Sequence, residues 1–274
     1  MKRILSAVLT LSVAMGLTSG CASVKKMNVG RTAASILISD EQEAQLGAQV
    51  KQELETKEKI KYVEDSAVVD YVRNLSTPIL QQANKDRQGV KWKIHVIDDP
   101  KTVNAFATPG GYLYVYTGLL LAADNEAEVA GVMGHEAGHV TGRHSAQALM
   151  LQYGQQALID AALGKNSGTV SQIAASLAGS GTSLAFSRGN ETEADELGAK
   201  YTSGARYDPR GLVTFFQKLA AQEGKTPGFM KWLSTHPPSA DRVKHLNSYI
   251  SSKGLSGSEL GADRLATIKA RLRK

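Results

Sequence analysis

One five-residue segment constrains this chain more than any other: His135-Glu136-Ala137-Gly138-His139, an HExxH pattern. Residues four apart share a helical face, so on a helix the two imidazoles reach one metal ion. Glu136 projects beside them, where its carboxylate can take a proton from water at that ion. Zinc is the natural ion for nitrogen and carboxylate donors with one position left open. The competing interpretation is an ordinary helix with two exposed histidines. Gly134 and Gly138 count against it, because each weakens a helix by about 1 kcal/mol relative to alanine and implies close packing. The acids of Asp124-Asn125-Glu126 suit a first turn, so the helix is expected from there to about Arg143.

A third ligand has to come from elsewhere, and Glu191-Thr192-Glu193-Ala194-Asp195 offers it. Glu191 and Asp195 share a helical face. One carboxylate can bind the metal while the other accepts the free N–H of a ligating histidine and fixes its tautomer. Glu193 points elsewhere on the helix and is the weaker candidate. Taken alone, this cluster reads as a solvated acidic face.

The surrounding elements follow from local signals. Ser39 followed by Gln42 fits a capping box, and Leu46, Val50 and Leu54 mark one face of a helix from about Asp40 to Lys57. A second helix is expected over Ser66 to Ala83, loosened near Pro78. Lys91 to Ile97 and Tyr112 to Tyr116 read as strands, with Asn104 to Ala107 short and extended and Thr108 to Gly111 a turn. Residues 146–186 are rich in Ala, Gly, Ser and Leu, and predict two helices joined by a loop near Gly164 to Gly168. Helices are also expected from Ser187 or Asn190 to Ser203, from Asp208 to about Gly224, and from Ser258 to Arg273.

With 274 residues, 42% hydrophobic and 21% charged, the chain can bury one large catalytic domain without disulfides. The formal charge of +6 is mild, and no stripe of basic and aromatic residues suggests a nucleic-acid partner. Residues 1–21 have the form of an export signal, with Lys2 and Arg3 ahead of an apolar run. The segment Leu17-Thr18-Ser19-Gly20-Cys21 resembles the lipobox of bacterial lipoproteins, although Thr18 stands where leucine is usual. Cys21 would then become a lipidated N-terminus, and residues 22–38 a tether. As the single cysteine, it leaves no intrachain disulfide to form. No other stretch is long and apolar enough to suggest a membrane span.

The motifs together resemble one family. HExxH followed by ExxAD is similar to the gluzincin metallopeptidases of the HtpX, LoiP and BepA type, family forty-eight of the metallopeptidases, which includes the CAAX prenyl proteases. The resemblance covers about Ser39 to Tyr249. It includes Asn104-Ala-Phe-Ala, Pro109-Gly-Gly, Arg143-His144, Ser187-Arg188, Glu191-x-x-Ala-Asp195, Tyr207-Asp-Pro and His236-Pro. It implies Glu191 as third ligand to one Zn2+ per chain, and Asp195 as the support of His135. It implies that Asn104, Ala105 and Phe106 lie on an edge strand that pairs with substrate backbone. It also puts His236 and Arg242, from an HPxxxxR element, near the zinc. There they would stabilise the oxyanion of the reaction, or His236 would cap the metal in a closed resting state. His95, His144 and His245 take the ordinary structural reading. Family members place a mobile element where 146–186 falls, so a lid is expected there. The chain ends at Lys274, which leaves no room for the helical-repeat domain of BepA.

The expectation is an α+β, mainly helical gluzincin: a zinc endopeptidase exported and lipid-anchored at the periplasmic face of an outer membrane. It would act on misfolded or unassembled envelope polypeptides, with assembly or protease partners in the envelope. One alternative is a chaperone-like client-binding protein, against which Glu136 argues, since binding alone needs no base. The other is a structural metal protein with four protein ligands, His236 being the fourth.

Overall fold

The computed structural model describes residues 38–179, 181–182, 184, 186–222, 230–237 and 239–273. The expected export signal, Cys21 and nearly all of the expected tether lie outside the described residues.

Helix α1 (Asp40–Thr56) begins at the expected capping box. The Gln42 N–H donates to the Ser39 hydroxyl at 3.2 Å, and the Ser39 N–H donates to Gln42 Oε1 at 2.8 Å. Helix α2 (Ser66–Ala83) carries Pro78 in its interior and opens on Asp65, whose carboxylate accepts from the Ala67 N–H. The strands β1 (Lys93–Ile97), β2 (Ala105–Thr108) and β3 (Tyr112–Tyr116) form a sheet in the order β1-β3-β2. β3 runs parallel to β1 and antiparallel to β2, with Phe106 opposite Tyr114 and Ala107 opposite Leu113. The Gly110-Gly111 turn, both residues at positive φ, returns the chain from β2 to β3, and it leaves β2 on the edge.

Alternation along the strands divides the interior in two. Val96, Ala105, Leu113 and Val115 face a core shared with α2, α3 (Thr117–Ala122), α4 (Glu126–Thr141), α8 (Arg188–Gly204), α9 (Gly211–Gln222), α11 (Ala240–Ser252) and α12 (Ala262–Leu272). Ile97, Phe106, Tyr112, Tyr114 and Tyr116 face a second core, built with α1, α5 (His144–Tyr153), α6 (Gln155–Ala162) and α7 (Ser167–Ala178). Helix α4 runs between the layers and is buried on every side. A short helix, α10 (Met230–Thr235), precedes His236.

Several boundaries depart from the sequence reading. The stretch 146–186 holds three helices, because Gly154, at φ 84°, ends α5 at a position where the apolar pattern continues. Helix α3 was not expected; it follows β3 without a side-chain cap. Helix α12 starts at Ala262, after Gly261 in the left-handed region, where Ser258 had been expected. No helix among the described residues is long and apolar enough to cross a membrane.

Candidate active site

Two glycine-bearing helices bring the site together. A Cβ on Gly134 would lie 2.8 Å from the Gly198 carbonyl oxygen, and one on Gly198 would lie 2.8 Å from the His135 nitrogen. A Cβ on Gly138 would sit 3.0 Å from the Ala194 carbonyl oxygen. Helices α4 and α8 therefore touch backbone to backbone, the close packing that the two helix-weakening glycines implied. Asn125 caps α4 and Ser187 caps α8, each accepting a backbone N–H in the first turn. With the helices in contact, His135 and His139 face Glu191 and Asp195.

His135, His139, Glu191 and His236 are all buried, and their potential ligand atoms lie within 4.8 Å of one another. His135 Nε2 is 3.0 Å from His139 Nε2 and 3.3 Å from His236 Nδ1. Glu191 Oε1 is 3.0 Å from His236 Nδ1 and 3.4 Å from His139 Nε2, and Glu191 Oε2 is 3.7 Å from His135 Nε2. Zinc–nitrogen bonds of about 2.0–2.1 Å arranged tetrahedrally put ligand atoms about 3.3 Å apart. The donors gather near that spacing, and three of them are imidazole nitrogens. The donor set fits a tetrahedral zinc ion.

A ring of polar contacts holds the donors. His135 Nδ1 lies 2.9 Å from Asp195 Oδ1. Arg242 donates to both Asp195 oxygens at 2.8 Å, reaches Glu191 Oε2 at 2.8 Å and donates to the Pro237 carbonyl at 3.0 Å. Its guanidinium stacks on Phe216. Arg242 thus hydrogen-bonds Asp195 and the Pro237 carbonyl and pairs in charge with Glu191. On the far side, Phe186 stacks on His139 at 4.0 Å between ring centroids and on His236 at 5.3 Å. Burial pushes Glu191 upward, but His236 and His139 outweigh it and hold the carboxyl well below its ordinary range. Burial pushes the Glu136 carboxyl up, against the opposing pull of His236 and His135. Glu136 Oε1 lies 3.5 Å from His236 Nε2.

Asn104, Phe106 and Ala107 line a cleft with Glu136 and His236, across which stand Leu177, Leu184 and Phe186; the cavity holds ≈ 30 Å³, room for about one water. Ala105 faces the core on the opposite side of β2. Most of 146–186 belongs to the second core, pinned to α1 by the Gln49 amide donating to the Ala162 carbonyl and Ser171 donating to Glu53. Among its described residues, those that line the cleft fall between Ser176 and Phe186.

The sequence reading missed three contributors. His144 is fully buried, with Nδ1 3.1 Å from His139 Nδ1 and Nε2 3.3 Å from Glu193 Oε2. Helical spacing put it off the His139 face, but α4 ends at Thr141 and Arg143, at φ 58°, turns the chain back. Glu193 lies outside the donor cluster and meets the site's surroundings through His144. Phe186 and the buried Trp232, whose ring centroid lies 5.0 Å from that of His236, carried no motif signal beyond being aromatic. His95 stands apart, stacked on Tyr114 at 5.1 Å, and His245 pairs at the surface with Glu196 at 2.7 Å.

The profile of peptidase family M48 matches residues 70–250, a span that holds every donor described above. The chain belongs to peptidase family M48. It is similar to the metalloprotease LoiP of Escherichia coli, with 31% identity over 92% of this chain and 99% of that protein. The mitochondrial metalloendopeptidase OMA1 of Schizosaccharomyces pombe is 35% identical over 59% of this chain and 47% of its own length. The beta-barrel assembly-enhancing protease of Escherichia coli is 29% identical over 77% of this chain and 44% of its own. The chain thus spans less than half the length of the OMA1 and barrel-assembly relatives. The M48 fold is, as expected, mainly helical with a small sheet, and HExxH lies on its central helix.

Proposed function

We propose that this M48 chain is a zinc-dependent endopeptidase acting on polypeptides of the bacterial envelope. The observation that carries the reading is the convergence of His135, His139 and Glu191 on one point with the Glu136 carboxylate beside it. His135, His139 and Glu191 would hold one Zn2+. When bound, the ion supplies a Lewis acid that polarises a carbonyl and lowers the pKa of water towards about 7. Glu136 accepts the proton of the attacking water and passes it to the leaving nitrogen. A carboxyl raised by burial suits a group that must hold a proton between those events. The edge of β2, at Asn104, Ala105 and Phe106, takes the substrate backbone as an added strand, which gives affinity with little sequence preference. Asp195 orients His135, and Arg242 positions Asp195 and Glu191.

His236 supports the capping role best, because its Nδ1 stands among the donors while the cleft is nearly filled. At rest it is the fourth donor, and it withdraws before peptide binds. The same contact supports a second reading, a closed structural metal site with four protein ligands. Cleavage of casein with and without a chelator, alongside Glu136→Gln, separates the two: a structural site gives no chelator-sensitive turnover. Resemblance to LoiP and to the barrel-assembly protease supports an envelope substrate, namely misfolded or unassembled proteins. The lipobox-like Cys21 supports anchoring at the outer membrane, facing the periplasm.

A further inference from the structure

The structure surrounds one donor with contacts that the proposed reaction does not use. His139 directs Nε2 into the metal cluster, which leaves Nδ1 as its outward atom. That atom faces another imidazole nitrogen, His144 Nδ1, at 3.1 Å. Two nitrogens at this distance hold together only if one carries a proton and the other does not. The opposite edge of His144 meets the Glu193 carboxylate at 3.3 Å. A carboxylate only accepts.

We propose that Glu193 and His144 form a relay that sets the tautomer of His139 and holds its ring for zinc. The proposal rests on the reading of His139 as a zinc ligand. Its proton placement follows from both ends. Glu193 takes the N–H of His144 Nε2, so His144 Nδ1 is bare. His139 then donates from Nδ1, and its Nε2 presents a lone pair to the metal. Were His144 to carry its proton on Nδ1, two N–H groups would oppose each other and push His139 out of its donor tautomer. An oriented outer partner of this kind raises ligand basicity and fixes the ring. His135 has Asp195 directly on its Nδ1 at 2.9 Å; His139 reaches its carboxylate through one intervening imidazole.

Local structure is built around this contact. Arg143 adopts a left-handed conformation uncommon for a residue with a side chain, held by Glu43 and by the Ile38 carbonyl. That reversal brings His144 back over α4. A Cβ on Gly142 would lie 2.3 Å from His144 Nε2, so glycine is what leaves room for the ring. Phe186 stacks on the His139 ring at 4.0 Å between centroids. Glu193 and His144 are positioning residues: neither contributes a donor to the metal cluster.

The test is zinc affinity of the purified full chain, measured by competition with a chromophoric chelator. Glu193→Ala and His144→Ala should bind zinc about 10- to 100-fold more weakly. Glu193→Gln should remain within a few fold of wild type, because its amide oxygen accepts the same N–H. In Co2+-loaded protein, the shifted exchangeable N–H resonance of His139 should persist in wild type and Glu193→Gln and be lost to exchange in Glu193→Ala. Wild-type affinity and resonance in Glu193→Ala would overturn the relay, as would equal losses in the Gln and Ala variants. If His144→Ala does not fold, the Glu193 pair decides alone. A wild type that binds no zinc, or a His139→Ala variant that binds it as wild type does, removes the ligand assignment itself, and is thereby distinguishable from failure of the relay.

Discussion

At the scale of single residues, the proposed roles divide into groups that would bind the metal, a group that would move protons, and groups that hold the others in place. Glu136→Gln preserves volume and leaves the donors intact, so the variant should retain zinc and lose proteolysis; turnover within tenfold of wild type would sink the general-base assignment. Glu191→Ala removes a donor, and metal analysis of the purified protein should find the site empty. Asp195→Ala should weaken zinc by about 10- to 100-fold, as loss of an orienting partner does. It also leaves the buried Arg242 guanidinium without the two oxygens it now engages, so its stability falls as well. His236→Ala separates two roles by sign. Loss of an oxyanion donor lowers turnover by about 10²- to 10³-fold, whereas loss of a resting cap raises casein cleavage or causes self-cleavage. The expected outcome is the rise, at matched zinc occupancy; turnover and zinc affinity that both stay unchanged would defeat either role.

Among the elements, the contact of α4 with α8 is the one the chemistry depends on. It brings two imidazoles from one helix against two carboxylates of the other, and it exists because glycine lies on both sides of the crossing. Gly198→Val places new atoms within about van der Waals overlap of the His135 backbone, where only backbone can yield. Overpacking of this kind typically costs about 1–3 kcal/mol, and here it parts the donors too. The variant should melt at lower temperature and bind zinc at least tenfold more weakly. Gly189→Ala, on the same helix with its nearest atom 3.8 Å away, should leave both properties unchanged, and equal losses in the two variants would refute the crossing as the cause. The strands were legible because Lys91 to Ile97 and Tyr112 to Tyr116 are runs of strand-favouring residues bounded by turn signals, and α1 because its capping box is a local hydrogen-bond pattern. Division of 146–186 into three helices was not, since small apolar residues continue across the break and only the φ of Gly154 marks it.

For the whole molecule, the cleft lies where the two cores meet along β2. One core supplies α4 and α8 beneath it, and the other supplies the end of the α5–α7 block that stands over it. No helix among the described residues is long and apolar enough to cross a membrane, and the proposed lipid anchor is a property of Cys21 alone. Metabolic labelling with a fatty acid in the native host should mark the wild-type chain and spare Cys21→Ser; an unlabelled wild type would refute lipidation.

By itself the sequence determined the candidate donor types, the HExxH spacing, the paired carboxylates and the approximate limits of helices such as α1, α2, α4 and α8. These are local properties, in which a period of 3.6 residues or a cap within four residues decides the outcome. Resemblance, and not spacing, pointed to His236 and Arg242. Only the tertiary structure decided that His236 meets His135 across 101 residues of chain, that Arg242 engages both carboxylates, and that His144 doubles back onto His139. The approach of His144 depends on a chain reversal at Arg143 that carries no periodic signal, and the others are contacts between separate elements. They are held by packing between elements distant in sequence, and no local pattern encodes which distant partner each will find.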